Sequence, residues 1–406
     1  MHRHHHGLPA RGPVGKEKAL LPAGHPLLLV RAKHEVADVL RLHWPQVEQH
    51  AGINSWQLRT LAAIMRCRTR AMGGHVDACS DCGQVRVSYN SCRNRHCPKC
   101  QGRRREQWIQ ARQAELLPVP YFHVVFTLPD TLNQLALHQP KAVYDTLFEA
   151  AWATLLTFAS DTKHLGAKPG MVAVLHTWGQ TLSLHPHLHC IVPGGGLSER
   201  GRWKGARGKG RYLFPVKAMS LVYRAKYVHI LREKLPQVDK QLLKALFGKQ
   251  WVVYAKRPFS GPEHVVEYLG RYTHKIAISN HRIQEVDEQS VSFSYKDYRQ
   301  GAKRLEMKLG GMEFIRRLAL HILPKGFVRI RHYGILSGTA KGAAIPVIRE
   351  QLPGEKRRKV EGRQLQEYNP LECPCCKKET MLTLQVLSKR GPPQGLRTQR
   401  HYREFE

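Results

Sequence analysis

The chain has 406 residues, of which 42% are hydrophobic, enough for ordinary cores and roughly two or three domains. Lys and Arg number 65 against 31 Asp and Glu, so the formal net charge is +34 and the pI is near 10.1. Such a charge points to a polyanionic partner, most commonly nucleic acid. A membrane surface is the rival partner, but no apolar run reaches the ~18 residues of a spanning helix, and the first residues lack a signal peptide's apolar core. We therefore expect a cytoplasmic protein.

The N-terminal third divides into three segments. Residues 1–32 are rich in His, Pro and Gly without a sustained period, which predicts a flexible lead-in. Apolar residues at helical spacing predict two helices between Lys33 and about Arg70. A basic, cysteine-rich segment follows. After it, Gln101 to Leu117 is polar and Arg-rich, which predicts an exposed helix that Pro118 ends.

Strand and helix patterns alternate from Tyr121 onward. The elements predicted by composition and period are strands at Tyr121–Leu128, Met171–Trp178, Leu182–Val192 and Trp251–Tyr254, and helices at Lys141–Ser160 and within Ser220–Phe247. This order predicts an α+β domain over residues 118–345. Residues 346–406 are charged and punctuated by Pro and Gly, which predicts a loosely ordered basic tail, or one that folds on DNA.

Six cysteines crowd into the segment before Gln101. Two CxxC turns, each able to aim two sulfurs at one ion, predict a zinc site made of Cys79, Cys82, Cys97 and Cys100. The remaining residues alternate with these, so a second, interleaved zinc site from Cys67, His75, Cys92 and His96 stays open. Buried free thiols are the alternative. Residues 33–117 are thus predicted to form a helical, zinc-binding domain. In the tail, Cys373 and Cys376 offer half a site, which His401 or another chain would have to complete.

Arginine and lysine residues lie among the cysteines and directly after them. A metal-stabilised segment would display them rigidly toward phosphates, which gives affinity and salt dependence more than sequence choice. The predicted DNA-contacting residues here are Arg93, Arg95, Lys99, Arg103, Arg104 and Arg105.

A histidine pair lies within the predicted strand Leu182–Val192. On a strand, His187 and His189 share one face, which His185 can also join, while Leu188 points to the other. Two such imidazoles can bind a divalent ion, Mg²⁺ or Mn²⁺, beside a phosphodiester. Taken alone, a His-x-His pair is more often a surface pair than a metal site.

Two tyrosines lie downstream of a capping-box helix start at Ser260. Tyr268 and Tyr272 are four residues apart, so on a helix they share a face. Beside a metal, such phenols can attack phosphorus, forming a 5′-phosphotyrosine and freeing a 3′-hydroxyl. Packing is the alternative role for both. Arg271, between them, is either a scissile-phosphate contact or an ordinary exposed cation.

Several strings together resemble a known family. They are Ser91–Cys100, His123–Leu128, His176–Leu182, His187–His189, Gly194–Leu197 and Tyr268–His274. In this order they are similar to the motifs of two-tyrosine HUH transposases of the IS91 type, which carry an N-terminal zinc-binding domain. The similarity runs from about Ala37 to Leu336, and the Cys373–Cys376 motif also fits.

The resemblance implies a fold, a reaction and a location. The fold would be a helical zinc-binding domain, then a ferredoxin-like antiparallel-sheet HUH endonuclease domain, then a basic C-terminal tail. The reaction would be rolling-circle transposition of single-stranded DNA, in a nucleoid-associated bacterial protein. Related nucleases take the third metal ligand from different elements; His176 is the first choice here, with Gln180 and Glu267 behind it.

Two other functions stay open. A plasmid replication initiator or relaxase would use the same chemistry, but the multi-cysteine segment and the lack of a helicase P-loop sequence argue against it. A non-catalytic, zinc-dependent DNA-binding protein is the third possibility. Neither the DNA ends nor the oligomeric state follows from the sequence.

Overall fold

The structure, a computed structural model, describes residues 32–113, 115–207, 213–255, 259, 265, 270, 275–352 and 369–388, without the side chains of 102–104. The predicted lead-in lies outside the described residues except for Ala32. The described residues from Lys33 onward make one compact unit.

Short helices open the described chain. They are α1 (Val36–Leu42), α2 (Trp44–Gln49) and α3 (Ser55–Arg66), one more than the sequence predicted. The extra break falls at His43, because Pro45 in the first turn of α2 starts a new helix rather than continuing α1. Helix α3 begins at a capping box, in which the Asn54 side chain accepts from the backbone of Trp56 and Gln57.

A small antiparallel sheet follows the helices. Strands β1 (Gly74–Cys79) and β2 (Val85–Tyr89) form a hairpin, and β13 (Met381–Leu387) pairs with the other edge of β1. The sequence predicted a helical N-terminal domain. The region is therefore not purely helical, and the prediction missed this sheet. Helix α4 (Gln101–Gln113) confirms the predicted Arg-rich helix.

The main sheet begins at β3 (Tyr121–Thr127). Among the described residues it has seven strands, all antiparallel, in the order β7-β6-β4-β5-β3-β8, with β12 also pairing with β4. Its other strands are β4 (Lys168–Trp178), β5 (Leu184–Pro193), β6 (Gly195–Leu197), β7 (Trp203–Gly205), β8 (Val252–Ala255) and β12 (Ile330–Gly334). The four strands that the sequence predicted are all present.

One face of this sheet carries the largest core. Phe122, Val124 and Phe126 of β3 and Leu188 of β5 pack there against helices. The helices of this region are α5 (Asn133–His138), α6 (Pro140–Ser160), α7 (Val216–Lys234) and α8 (Lys240–Gly248). Side chains alternate along a strand, so the residues between these core positions point to the opposite face.

A third antiparallel sheet supports the N-terminal helices. It contains β9 (Ile283–Val286), β10 (Ser290–Asp297) and β11 (Lys303–Gly310), and helix α9 (Gly311–Ala319) follows. Phe293 and Phe314 belong to the same buried cluster as Leu40 and Leu61 of the first helices. Residues far apart in sequence thus share one core.

The C-terminal region differs from the predicted loose tail. Helix α10 (Lys341–Gln351) crosses the proposed boundary at residue 345, and Ile345 and Ile348 are buried. Strand β13 pairs with β1 along its length. The prediction of a loosely ordered tail is wrong for these described stretches, because it rested on charge and left out the apolar content of Met381–Leu387. The basic run at 356–359 lies outside the described residues.

The described chain is thus a mixed α+β structure with antiparallel sheets, as the sequence predicted. Within that part of the chain, no helix combines the length and apolarity needed to cross a membrane.

Candidate functional site

Histidines from neighbouring strands meet on the face of the main sheet opposite the largest core. In the register of the sheet, His176 of β4 lies across from His187 of β5, and His189 lies across from Val174. Residues paired across strands, or two apart on one strand, share a face. His176, His187 and His189 each offer a ring nitrogen, and the three nitrogens lie within 4.8 Å of one another.

Hydrogen bonds set which ring nitrogens face each other. The Nδ1–H of His187 can donate to the carbonyl oxygen of His185 at 2.7 Å, which leaves its Nε2 as a lone-pair donor. That Nε2 lies 3.2 Å from Nε2 of His189. The ring of His176 stacks on Trp178 with centroids 4.6 Å apart, which limits its rotation.

A fourth histidine supports the group from β3. Nε2 of His123 lies 2.9 Å from Nδ1 of His189, and both side chains are buried. If His189 uses Nε2 for a metal, its Nδ1–H points at His123, the arrangement that orients metal-bound histidines. No role for His123 was predicted, because its approach to His189 depends on the pairing of β3 with β5.

The environment keeps the imidazoles of His187 and His189 neutral. Burial lowers the pKa of His187 to about 4 and that of His189 well below its ordinary value, and the positive charge of Lys275 acts in the same direction. A neutral imidazole is the form that binds a metal ion. The structure therefore groups the ring nitrogens of His176, His187 and His189, and burial holds those of His187 and His189 in the neutral form.

The predicted nucleophiles, Tyr268 and Tyr272, lie outside the described residues, as do Arg271 and Glu267. Two described residues of the same segment, Val265 and Gly270, are helical. Val265 is fully buried in the cluster that contains Val172 and Ile191, whose side chains share the sheet face of the histidines. A Cβ on Gly270 would lie 2.3 Å from Cδ1 of Ile109, so this glycine allows close approach to α4.

The cysteines form two groups of four, divided differently from the sequence prediction. One group joins Cys67 and Cys92 to the predicted pair Cys97 and Cys100. In it, Sγ of Cys100 lies 3.5 Å from Sγ of Cys67 and 3.6 Å from Sγ of Cys92.

The second group takes Cys79 and Cys82 to the C-terminal Cys373 and Cys376. The predicted quartet of Cys79, Cys82, Cys97 and Cys100 is therefore not brought together. The reason is the hairpin: Cys79 and Cys82 lie at its turn, whereas Cys67 and Cys92 flank its open end, where Gly74 pairs with Tyr89. Five residues of strand separate the two ends by roughly 15 Å.

The two histidines of the predicted second zinc site lie elsewhere. Nε2 of His75 is 3.3 Å from Oδ2 of Asp77. Nε2 of His96 accepts from the backbone N–H of Leu323 at 3.3 Å, and burial lowers the pKa of His96 to about 3. Within the described residues, neither belongs to a cysteine group. These two ligand assignments are corrected.

The predicted DNA-contacting cations fall into two classes. Arg95 donates to the backbone oxygens of Phe327 and Pro324, so it ties the cysteine segment to the chain just before β12. Lys99 pairs with Glu35 at 2.7 Å, a contact within the N-terminal region. Arg93 and Arg105 are exposed and remain predicted phosphate contacts. The side chains of Arg103 and Arg104 lie outside the described part.

Comparison with known proteins concerns these same regions. A family model described as "Putative transposase" matches residues 170–343, and one described as "Transposase zinc-binding domain" matches residues 39–128. The chain is 41% identical over 399 residues to "Putative transposase y4qJ" of Sinorhizobium fredii, covering 90% of this chain and 98% of that protein.

A second relative is "Transposase for insertion sequence element IS801" of Pseudomonas savastanoi pv. phaseolicola. The identity is 30% over 325 residues, covering 76% of this chain and 77% of that protein. No solved structure gives a significant match. The two family models and the extent of both alignments agree with the motif order seen in the sequence, so the chain belongs to the IS91-type insertion-sequence transposases.

Proposed function

We propose that this transposase cuts and rejoins single-stranded DNA at the ends of its element, through a covalent bond between DNA and tyrosine. The observation that carries the proposal is the grouping of His176, His187 and His189 on one face of the main sheet. Three imidazoles grouped in this way suit a divalent ion. Membership of a transposase family makes a phosphodiester the substrate.

The strand order supports an HUH nuclease fold. Strands and helices run β3-α6-β4-β5-α7-β8, and the strands lie in the order β4-β5-β3-β8, all antiparallel. A strand-helix-strand-strand-helix-strand unit in this order is ferredoxin-like. It places the histidine pair on the inner strand β5, between β3 and β4, so supporting side chains reach it from both sides.

The chain's own residues would act as follows. A bound Mg²⁺ or Mn²⁺ would polarise the scissile phosphate and offset charge developing on it. The phenol oxygen of Tyr268 or Tyr272 attacks phosphorus and loses its proton, while the bond from phosphorus to the 3′ oxygen breaks and that oxygen gains a proton. The product is a 5′-phosphotyrosine with a free 3′-hydroxyl. Attack by a 3′-hydroxyl reverses the step and joins strands without another energy source.

Two tyrosines support rolling-circle transfer. One can hold the first cut end while the other cuts a second strand, as replicative transfer of a single strand requires. The proposed zinc ligands of the N-terminal domain are Cys67, Cys92, Cys97 and Cys100. The bound ion would hold the N-terminal helices and the exposed Arg93 in position to contact the DNA backbone.

The proposal is tested with labelled single-stranded oligonucleotides from the two ends of the element. We expect a protein–DNA adduct that survives denaturation in Mg²⁺ or Mn²⁺ and is absent in chelator. Because imidazole nitrogen suits Mg²⁺ poorly, Mn²⁺ should act at a lower concentration. A protein that binds these ends but never forms an adduct would be the non-catalytic DNA-binding protein instead.

His123 is proposed to position His189. We expect His123→Ala to raise the Mn²⁺ concentration for half-maximal nicking by about 10- to 100-fold, because His189 loses the partner that orients it. His123→Gln, which can accept the same hydrogen bond, should recover part of the loss. Nicking rates measured across a Mn²⁺ titration check this. Equal half-saturating concentrations for His123→Ala and wild type would remove His123 from the site.

A further inference from the structure

The second cysteine group joins distant parts of the chain. Cys79 and Cys82 come from the turn of the β1–β2 hairpin, and Cys373 and Cys376 come from the segment before β13. Sγ of Cys79 lies 3.6 Å from Sγ of Cys376, and Sγ of Cys82 lies 3.6 Å from Sγ of Cys373, across 291 residues of sequence. Neither family model covers this C-terminal segment, since their matches are residues 39–128 and 170–343.

The sulfur geometry fits a tetrahedral metal site. In a tetrahedron with Zn–S bonds of about 2.3 Å, sulfurs are roughly 3.8 Å apart, close to the spacings here. Disulfide sulfurs would be about 2.05 Å apart. All four Sγ atoms lie within 4.8 Å of one another, which a pair of separate thiol contacts does not require.

Backbone N–H groups also point at the sulfurs. Sγ of Cys79 accepts from the N–H groups of Asp81 and Cys82, both at 3.4 Å. On the other side, Sγ of Cys373 accepts from the N–H of Cys375 at 3.4 Å. In both CxxC turns, the sulfur of the first cysteine thus accepts from the N–H two residues further on, and this donor stabilises negative charge on sulfur. Lys378 and Asp81 connect the two turns by an ion pair at 2.8 Å.

The three-stranded sheet has a small apolar core among the described residues. Its own buried cluster consists of Cys79, Cys373 and Met381, with Cys376 packed against it. Apolar side chains on both outer strands are exposed, among them Val87 at 51% and Val386 at 75%. A sheet with so small an apolar core needs another source of stability, and a structural metal ion is the usual one.

We propose that Cys79, Cys82, Cys373 and Cys376 bind a second zinc ion, which fastens residues 369–388 to the N-terminal hairpin. The ion completes the small sheet, because it holds β13 on the edge of β1. The C-terminal segment is thereby a structural part of the N-terminal zinc-binding region. Each chain holds two zinc ions, in separate sites at the two ends of the hairpin.

Zinc content and hydrogen exchange of the full-length protein test this, without use of DNA cleavage. We expect two zinc ions per chain in wild type and one in Cys373→Ser/Cys376→Ser, with protection of the backbone amides of 381–387 lost in that variant. Cys375→Ser is the matched control, since Cys375 is exposed in the same turn but lies outside the group; it should keep two ions and full protection.

Cys376→His is a second variant that separates loss of zinc from misfolding. Histidine can replace cysteine as a zinc ligand, so this variant should keep two zinc ions. One zinc per wild-type chain would overturn the proposal. So would two zinc ions in the double serine variant, or wild-type protein whose Cys79 and Cys82 are found disulfide-bonded to Cys376 and Cys373.

Discussion

Replacing His187 or His189 with alanine is expected to abolish detectable nicking, a loss of roughly 1,000-fold or more. Each change removes one of three nitrogen donors grouped within 4.8 Å, and with it the metal ion that offsets charge at phosphorus. That stabilisation is worth several kcal/mol, and each ~1.4 kcal/mol corresponds to tenfold in rate. Rates of cleavage of a labelled single-stranded end, in Mn²⁺, give the measurement.

The matched control is His185→Ala. His185 lies on the same strand but is exposed and outside the group of three. Its backbone oxygen, which alanine keeps, accepts from His187, and the centroid of its ring lies 5.1 Å from that of His187. It should cleave within about threefold of wild type. Zinc content should stay unchanged in all three variants, which separates loss of the catalytic ion from unfolding. Near-normal cleavage by His187→Ala and His189→Ala would refute the assigned metal site.

Changing both Tyr268 and Tyr272 to phenylalanine is expected to eliminate the covalent adduct. Phenylalanine keeps the ring but lacks the oxygen that attacks phosphorus. Each single change should leave nicking detectable and reduce transposition, because the remaining tyrosine can cut but cannot hold two ends. Adduct yield and a cellular transposition assay measure the two effects.

Tyr254→Phe is the control for these changes, since Tyr254 lies on β8 with half of its side chain exposed. It should behave as wild type. Full adduct formation by the double variant would assign the nucleophile to another residue.

The main sheet could be predicted because its signals are local. Strand β5 alternates the apolar Leu188 and Cys190 with His187 and His189, so the sequence separates a core face from a histidine face. The place of His176 also followed from its strand, once the hairpin β4–β5 was expected. The role of His123 was missed because it depends on which strand pairs with β5, and periodicity within one strand does not reveal its neighbour.

The cysteine pairing could not be predicted in the same way. All CxxC turns have the same spacing, so the sequence does not say which turns meet. The length of the β1–β2 hairpin decides the matter, because it separates Cys79 and Cys82 from Cys97 and Cys100. The partners of the first pair lie beyond the whole main sheet, at Cys373 and Cys376. Arg95 was similarly misassigned, since its contacts with Phe327 and Pro324 exist only after folding.

The most direct test of the central claim is to find the atom that holds DNA. The adduct formed with a single-stranded element end in Mn²⁺ would be digested with nuclease and protease, and the modified peptide sequenced by mass spectrometry. The proposed mechanism predicts a nucleotide joined through its 5′ phosphate to Tyr268 or Tyr272. A nucleotide on any other residue, or cleavage that leaves no modified peptide at all, would contradict it.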